Sequence, residues 1–473
     1  MDVSAAPPSP ALASAPATAR DELRATLALA APLVAANLLQ MAVYSIDVIF
    51  VARLGTAELA AATLGVYVYS VLMFALIGLV GAVAPIIAAE LGRRAHAVRE
   101  VRRSFRMAMW IAVAASLAAM AVLAGGERLL LLARQDAQVA ERAGAFLDIL
   151  LWAMPPAVAS GVMRVTASAL GRPGWATAVT ALGLGTGLLG NWLLVFGNAG
   201  LPALGLEGSA IASVVTSWAM AAAYLAILTG DRRLRRYRLF GRWWRAEWRR
   251  LAEVVRLGVP IALTMTFEGA LFSAAGFLMG LIGVTEVAAH AIALQIAAVT
   301  FQVPFGIAQA ATIRVGLAYG ARDRVWIGRA GRVSLIVGTG FMVFTAALLL
   351  AVPRLFVGLY VDPAASRNAA LVALALQYLA VAAAFQLFDG AQAVAAGVLR
   401  GLQDTRVPMI VAACGYWIVG FGTAVWLGFG LGWQGLGVWW GLAAGLAAVA
   451  GLLVWRWHRR ERIGLVPATV RPI

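Results

Sequence analysis

The chain has 473 residues, of which 62% are hydrophobic and only 13% are charged, and its mean hydropathy is +0.85. This composition excludes a water-soluble globular protein, because too few polar side chains are present to cover a surface that faces water. The formal net charge of +16 would favour nucleic-acid binding in a soluble protein, yet all 38 basic residues are arginines that lie between apolar segments.

Residues 1–20 are rich in alanine, proline and serine and lack the basic start of a secretory signal, so we predict a disordered N-terminal tail. After this tail, apolar runs of about 20 residues or more, the length that spans a bilayer, recur along the chain. They predict twelve transmembrane helices, near residues 25–52, 58–90, 105–125, 138–169, 174–196, 207–230, 252–280, 286–318, 333–353, 366–400, 407–429 and 435–457. Residues 458–473 are predicted to form a C-terminal tail.

The arginines indicate which loops face the cytoplasm, because basic residues concentrate in cytoplasmic loops. If the N-terminus is cytoplasmic, 32 arginines lie inside and only six lie outside. The outer six are Arg53, Arg128, Arg134, Arg142, Arg354 and Arg367. We therefore expect a multi-pass membrane protein with both termini in the cytoplasm.

An Arg/Trp-rich linker, DRRLRRYRLFGRWWRAEWRR at 231–250, joins the sixth and seventh predicted helices. Arginines interleaved with aromatic residues also occur in nucleic-acid-binding arms. Between two membrane-spanning helices, however, such a sequence typically anchors to lipid headgroups at the cytoplasmic leaflet. We therefore expect membrane lipid, and not nucleic acid, as its partner.

The two halves of the sequence resemble each other at a shift of about 230 residues. LGTAELAAA at 54–62 falls on IGVTEVAAH at 282–290, and VASGVMR at 158–164 falls on VAAGVLR at 394–400. Six helices in each half place both halves in the same orientation, related by an axis along the membrane normal. This predicts an all-α integral membrane protein with an N-lobe at 21–230, the linker at 231–250 and a C-lobe at 251–457. Two such bundles suit alternating access.

Three acidic residues fall inside predicted transmembrane helices: Asp47 in helix 1, Glu268 in helix 7 and Asp389 in helix 10. An ionised side chain at the bilayer centre costs about 3 kcal/mol, so each needs a partner or a function. We expect no arginine at a comparable depth to neutralise them. Each acid shares a helix face with other polar residues, so these faces should meet protein or water. The polar neighbours are Gln40, Tyr44, Thr264, Gln386 and Gln392.

Other polar residues allow two interpretations. Helix 8 carries three glutamines at a seven-residue spacing, Gln295, Gln302 and Gln309. They either hydrogen-bond to neighbouring helices or contact a substrate. Asn191 in helix 5 either completes a polar patch with Asp47 or makes an ordinary interhelical hydrogen bond. We interpret His290 as a structural residue.

Unpaired carboxylates in a dry cleft can hold a cation or take up a proton, since either relieves the cost of desolvating the charge. This is the chemistry of an ion-coupled carrier. The sequence has no Walker A loop, which excludes an ATP site in this chain, and we expect no cofactor beyond a coupling Na⁺ or H⁺. A single cysteine, Cys414, and only three histidines exclude a disulfide framework and a Cys/His zinc cluster.

The sequence as a whole resembles the multidrug and toxic compound extrusion (MATE) family, in particular its NorM-like branch. The resemblance covers nearly everything after residue 20. Its most specific segments are SIDVIFVARLGTAELAA at 45–61, GVPIALTMTFEGALF at 258–272, VAAHAIALQ at 287–295 and FQLFDGAQAVAAGVLRGLQDTRVP at 385–408. The resemblance implies two six-helix lobes around a central cleft, and export of mostly cationic, amphipathic compounds in exchange for Na⁺ or H⁺. It also implies cation coupling by Glu268 and Asp389, both as Na⁺ ligands, and a role in the N-lobe for Asp47.

The sequence departs from the NorM-like pattern at two positions. Phe385 stands where a tyrosine often precedes the acid of helix 10, so a hydroxyl is missing from the expected coupling site. In helix 5 only Asn191 remains of a pair of asparagines four residues apart, because its partner position is Gly187. Because of both departures, the resemblance does not select between Na⁺ and H⁺ as the coupling ion.

The sequence therefore predicts a monomeric, non-enzymatic multidrug efflux antiporter that works by alternating access. Two alternatives are open. A lipid-linked precursor flippase of the same broad superfamily would need several basic residues in its cleft, whereas the predicted cleft is acidic. An intramembrane transferase would need paired carboxylates or a histidine constellation at a membrane face, whereas these acids are spread over three helices.

Overall fold

The computed structural model describes residues 16–93 and 97–466, so residues 1–15 of the predicted N-terminal tail and 467–473 of the predicted C-terminal tail lie outside it. In the described residues all regular secondary structure is helical, and twelve helices are long and apolar enough to cross a membrane. They are Ala19–Ala52 (α1), Thr56–Arg93 (α2), Val98–Leu123 (α3), Ala137–Ala169 (α4), Gly174–Leu194 (α5), Gly205–Gly230 (α6), Trp248–Ile282 (α7), Val284–Gly320 (α8), Arg324–Ala351 (α9), Ser366–Gly401 (α10), Arg406–Gly430 (α11) and Gln434–His458 (α12). The predicted all-α, twelve-helix architecture is confirmed.

Several of these helices are interrupted. α2 breaks at Ala82, and α4 contains a 3₁₀ turn at Leu151–Ala153. α11 contains two π-helical segments, Cys414–Phe421 and Trp426–Gly430, in which the wider i→i+5 pattern changes the direction of successive side chains. The sequence did not indicate two short helices at the ends of longer ones, Gly126–Leu132 and Pro353–Val357.

α1 begins earlier than its apolar run suggested. Thr18 and Asp21 cap its first turn reciprocally: the Asp21 N–H donates to the Thr18 hydroxyl, and the Thr18 N–H donates to the Asp21 carboxylate, both at 3.2 Å. Such a capping box satisfies amide groups that the helix leaves unpaired at its start. The helix therefore begins at Ala19, inside the segment 1–20 for which a disordered tail was predicted.

The chain divides into two compact units whose boundaries differ from the predicted linker. Among the described residues, unit 1 contains 16–34, 91–93 and 263–466, and unit 2 contains 35–90 and 97–262. The boundaries thus fall inside α1, α2 and α7 and not at 231–250. Long helices cause this difference, because the two ends of one helix pack in different clusters.

Unit 2 is held together by close helix packing and by anchors at its loops. Gly78 of α2 lies so near α7 that a Cβ atom there would come within 2.6 Å of the Ala262 backbone. At the end of α6, Asp231 accepts hydrogen bonds from Arg172 at 2.7 Å and Trp175 at 3.1 Å. Burial raises the pKa of Asp231, but hydrogen bonds from the Arg233 N–H and these two side chains outweigh it, so the pKa lies below its usual value.

Unit 1 begins with a fully buried ion pair. Glu22, near the start of α1, accepts hydrogen bonds from Arg314 of α8 at 2.7 and 2.6 Å and from the Trp326 indole of α9 at 3.0 Å. Both charged side chains are completely shielded from solvent. Further along α8, Gly397 of α10 allows close contact, since a Cβ atom there would lie 2.5 Å from the Ala308 carbonyl oxygen.

Candidate functional site

In unit 1, two of the predicted acids meet at one amide nitrogen. The Gln392 side-chain NH₂ donates to Glu268 Oε1 at 3.0 Å and to Asp389 Oδ1 at 3.3 Å. The Tyr416 hydroxyl of α11 donates to the Gln392 amide oxygen at 3.0 Å, which fixes the orientation of the amide. Residues from α7, α10 and α11 therefore form one hydrogen-bonded cluster, which we call the acid-pair cluster: Glu268, Asp389, Gln392 and Tyr416.

The acid-pair cluster is largely shielded from solvent. Asp389 is 4% exposed and Gln392 2% exposed, whereas Glu268 is half-buried. Gln386, one turn before Asp389, accepts a hydrogen bond from Thr300 of α8 at 3.0 Å. Because few solvent molecules reach the two carboxylates, their mutual repulsion is only weakly screened. Simultaneous ionisation of both acids is thus costly, and binding one positive charge relieves that cost.

No salt bridge neutralises these acids. In residues 16–93 and 97–466, no arginine nitrogen lies within 4.0 Å of a carboxylate oxygen of Asp47, Glu268 or Asp389. The expectation that no arginine shares their environment is nevertheless too simple, because the half-buried Arg400 of α10 interacts electrostatically with Glu268. Arg400 lies in the last turn of α10.

The acid-pair cluster offers ligands that suit a small cation. Carboxylate oxygens are preferred by hard cations such as Na⁺. Within the part of the chain that the structure describes, no group of three or more Asp, Glu, His or Cys side chains lies close enough to hold one metal ion.

A second cluster lies in unit 2 and contains a single acid. Asp47 accepts hydrogen bonds from the Asn191 amide at 2.7 Å and from the Ser213 hydroxyl at 2.8 Å. Asn191 is fully buried and also donates to the Gly187 carbonyl oxygen at 2.9 Å. Of the two interpretations of Asn191, the structure favours the polar patch with Asp47. We call Asp47, Asn191 and Ser213 the single-acid cluster.

The helix face that carries Asp47 continues towards an arginine. Tyr44, 49% exposed, interacts with Gln40 and electrostatically with Asp47 and Arg164. Arg164 of α4 donates to the side chain of Asn37, three residues before Gln40. The predicted polar stripe of α1 thus exists, and it has a guanidinium at one end and a carboxylate at the other.

The structure does not bring every predicted residue into these clusters. Gln295 is exposed, and Gln302 donates to the Ala298 carbonyl oxygen of its own helix at 3.1 Å. Thr264 is buried on α7 one turn before Glu268. His290 is buried against the Trp439 ring, with the ring centroids 5.5 Å apart.

The structure shows the surroundings of both departures from the NorM-like pattern. Phe385 is buried between the rings of Phe272 and Trp439, with centroid separations of 6.0 and 5.7 Å, and the hydroxyl of the acid-pair cluster comes from Tyr416, which donates to Gln392. Gly187 accepts a hydrogen bond from Asn191 through its carbonyl oxygen, and Ser213 is the second donor to Asp47. Sequence reasoning missed Tyr416 and Ser213, because neither lies at a helical spacing from an acid.

Arg164 and Arg400 were also missed, although a signal for them was present. Both end the repeated segments VASGVMR and VAAGVLR, so they occupy equivalent positions in the two halves. A basic residue retained at the same place of a duplicated helix points to a shared role. Arg400 interacts electrostatically with Glu268 of the acid-pair cluster, and Arg164 interacts with Tyr44, which lies one turn before Asp47 on α1.

A family model described as MatE matches this chain twice, at residues 32–193 and 260–426. The chain belongs to the MatE family. The two matched segments begin 228 residues apart, which is the shift at which LGTAELAAA falls on IGVTEVAAH. The resemblance derived from the sequence is confirmed. As a MatE protein the chain is a multi-pass membrane transporter and not an enzyme.

Curated relatives in the MatE family carry a common name. A probable multidrug resistance protein NorM of Mesorhizobium japonicum is 46% identical over 444 residues, which cover 94% of this chain and 95% of the relative. A protein of the same name in Brucella suis is 44% identical, with 93% of both chains covered. Family membership and these names together support multidrug efflux transport as the general function.

Solved MATE structures share the fold. The eukaryotic MATE transporter AtDTX14 superposes with a TM-score of 0.84 at 20% identity, covering 94% of this chain and 99% of that one. A single-residue mutant of the Vibrio cholerae MATE transporter VcmN gives a TM-score of 0.84 at 15% identity, with 94% and 98% covered. At these identities the likeness establishes the twelve-helix fold alone.

Proposed function

We propose that this MatE protein is a cation-coupled antiporter that exports organic cations and amphipathic drugs across a bacterial inner membrane in exchange for Na⁺ or H⁺. It works as a monomer by alternating access, with both termini in the cytoplasm. The observation that carries this proposal is the acid-pair cluster, in which Glu268 and Asp389 share the Gln392 nitrogen without an arginine in ion-pair contact.

Coupling follows from the repulsion between the two carboxylates. When a cation or proton binds, the pair loses one unit of negative charge and the cost of burying it falls. Tyr416 holds the Gln392 amide so that its NH₂ faces both acids, which keeps them in place while the bound charge arrives and leaves. The cluster therefore has two states that differ in charge, and a conformational change can depend on which state is occupied.

Asp47 supplies the countercharge for an exported organic cation. Its two partners, Asn191 and Ser213, are neutral donors, so the net charge of the single-acid cluster is negative. The exposed Tyr44 ring on the same face of α1 adds an aromatic surface, which attracts organic cations. An amphipathic cation thus finds both a negative charge and an apolar surface.

The membrane potential provides enough energy for such an exchange. Each monovalent charge that enters at 100 mV releases about 2.3 kcal/mol. If this is fully coupled to export, it sustains a concentration ratio of roughly fiftyfold, since about 1.4 kcal/mol corresponds to a factor of ten.

The proposal is tested by replacing one acid of the pair. We expect Asp389→Asn to abolish dye efflux from proteoliposomes under both an imposed sodium gradient and an imposed proton gradient, while the protein still inserts in the membrane. Comparing the two gradients in the wild-type protein identifies the coupling ion.

A second Asp→Asn variant, outside the acid-pair cluster, controls for the effect of the substitution itself. Asp362→Asn alters an exposed acid in the loop before α10 and should leave efflux unchanged. Efflux at the wild-type rate in Asp389→Asn would reject the assignment of coupling to the acid-pair cluster.

A further inference from the structure

A cavity of about 800 Å³ lies in unit 2 at the beginning of α7. Four arginines line it: Arg103 of α3 and Arg249, Arg250 and Arg256 of α7. Glu247 and Glu253 are the acidic residues of the lining, and Glu90 and Glu100 also pair with two of its arginines. The charge that the cavity offers a ligand therefore depends on which arginines are paired, and the cavity lies outside both clusters described above.

Two of these arginines are held in place by carboxylates. Arg103 pairs with Glu247 at 2.6 Å. Arg250 pairs with Glu90 at 2.7 Å and with Glu253 at 2.8 Å. These ion pairs fix one wall of the cavity and use the negative charge of both lining glutamates. A wall fixed in this way binds a ligand without first having to order itself.

The other two arginines have no such partner. Among the described residues, no carboxylate oxygen lies within 4.0 Å of Arg249 or Arg256, and both side chains are exposed. They are seven residues apart, which places them on one face of α7 about 10 Å apart along its axis. The excess positive charge of the cavity thus belongs to these two guanidinium groups, which are free to bind an anion.

The position of the cavity indicates where the anion comes from. It adjoins the first turns of α7, directly before the apolar part of this membrane-spanning helix. Trp248 in the lining is 70% exposed, and nearby Trp244 is 80% exposed. Exposed tryptophans and arginines at the end of a transmembrane helix are typical of the headgroup layer, where lipid phosphates lie.

We propose that this cavity binds the phosphate of an anionic glycerophospholipid, with Arg249 and Arg256 as its ligands. Arginine suits this role because its planar guanidinium donates two parallel hydrogen bonds to phosphate oxygens. The Trp248 indole lies beside the glycerol and the start of the acyl chains. The inference goes beyond the proposed antiport and depends only on the position of α7 in the membrane.

Native mass spectrometry of the purified protein with added phosphatidylglycerol tests this site. We expect Arg249→Gln combined with Arg256→Gln to weaken phosphatidylglycerol binding about tenfold or more. The control pair, Arg322→Gln with Arg406→Gln, removes two exposed arginines outside the cavity and should change binding less than about twofold. Arg249→Lys with Arg256→Lys keeps the charge but loses the two parallel hydrogen bonds, so it should bind more weakly than the wild-type protein and more tightly than the glutamine pair.

Two arms of the experiment identify the ligand source. Zwitterionic phosphatidylethanolamine should bind weakly to the wild-type protein, and free glycerol 3-phosphate should not compete with phosphatidylglycerol at equal concentration. Equal loss of phosphatidylglycerol binding in the test and control pairs would overturn the site, because general surface charge would then explain binding. Equal affinity for free glycerol 3-phosphate would overturn the lipid assignment. Thermal midpoints of all variants confirm that they remain folded.

Discussion

Two glutamates of unit 1 show how the surroundings of a carboxylate decide its role. Glu22 is completely buried and accepts two hydrogen bonds from Arg314 and one from Trp326. Glu268 is half-buried, and its hydrogen bond comes from the neutral amide of Gln392. The charge of Glu22 is fully compensated and stabilises packing. The charge of Glu268 has no arginine in ion-pair contact, and for this reason we propose that it binds the coupling cation.

The largest expected effect concerns stability at Glu22. Glu22→Gln leaves the buried Arg314 without its counterion, and such a change typically costs about 3–5 kcal/mol. We therefore expect a clearly lower thermal midpoint in detergent. Glu58→Gln is the matched control, because the Glu58–Arg142 pair at 2.7 Å is partly exposed on both sides and contributes at most about 1 kcal/mol. Equal shifts in the two variants would contradict the comparison.

Replacing Glu268 should not lower the thermal stability of the protein, in contrast to Glu22. Glu268→Gln removes a charge that no arginine neutralises in ion-pair contact, so the thermal midpoint should stay the same or rise. The coupling cation loses a half-buried charged partner, which costs about 2 kcal/mol, so its affinity should fall about thirtyfold. The half-maximal cation concentration for dye efflux measures this change.

The same efflux measurement on Asp47→Asn separates binding of the exported dye from binding of the coupling cation. It removes the acid of the single-acid cluster in unit 2, so we expect weaker apparent affinity for the exported dye and an unchanged half-maximal cation concentration. If Asp47→Asn alters the cation dependence as strongly as Glu268→Gln does, coupling is not confined to the acid-pair cluster.

A smaller effect is expected from the neutral residues that hold the acids. Gln392→Ala removes the amide that donates to both carboxylates, and each hydrogen bond to a charged group contributes about 1.5–3 kcal/mol. Since the amide stabilises the empty, doubly charged pair, its loss should lower the half-maximal cation concentration about tenfold. Ser213→Ala removes one donor to Asp47 and should leave that concentration unchanged. A rise in Gln392→Ala would show that the amide oxygen binds the cation.

The twelve helices were predictable because each depends on a continuous stretch of the chain. Apolar length alone located most helix ends to within four residues. The starts of α1, α3 and α9 lie six, seven and nine residues earlier than predicted, and the two short helices were not predicted. The three acids were also predictable, since a charge inside an apolar run stands out. The unit boundaries were not, because they depend on which helix ends pack together.

Sequence patterns did not predict which residues of other helices form hydrogen bonds with the cluster residues. The regular spacing of the glutamines on α8 predicted contacts with other helices or with a substrate. Gln302 instead donates a hydrogen bond to a carbonyl oxygen of its own helix. Tyr416, in the π-helical part of α11, carries no comparable pattern and still donates to Gln392. Regular spacing reports which residues share a face of one helix, and it says nothing about which face of another helix lies opposite.

The sequence by itself determined the membrane-spanning helices, the duplicated halves and the presence of Asp47, Glu268 and Asp389 within them, because hydropathy and charge act locally along the chain. Only the tertiary structure decided the partners of these acids. Gln392 and Glu268 are 124 residues apart in the sequence, and Ser213 and Asp47 are 166 apart. Contacts over such separations form when helices pack side by side, and this packing reflects the combined shape and polarity of all the helices.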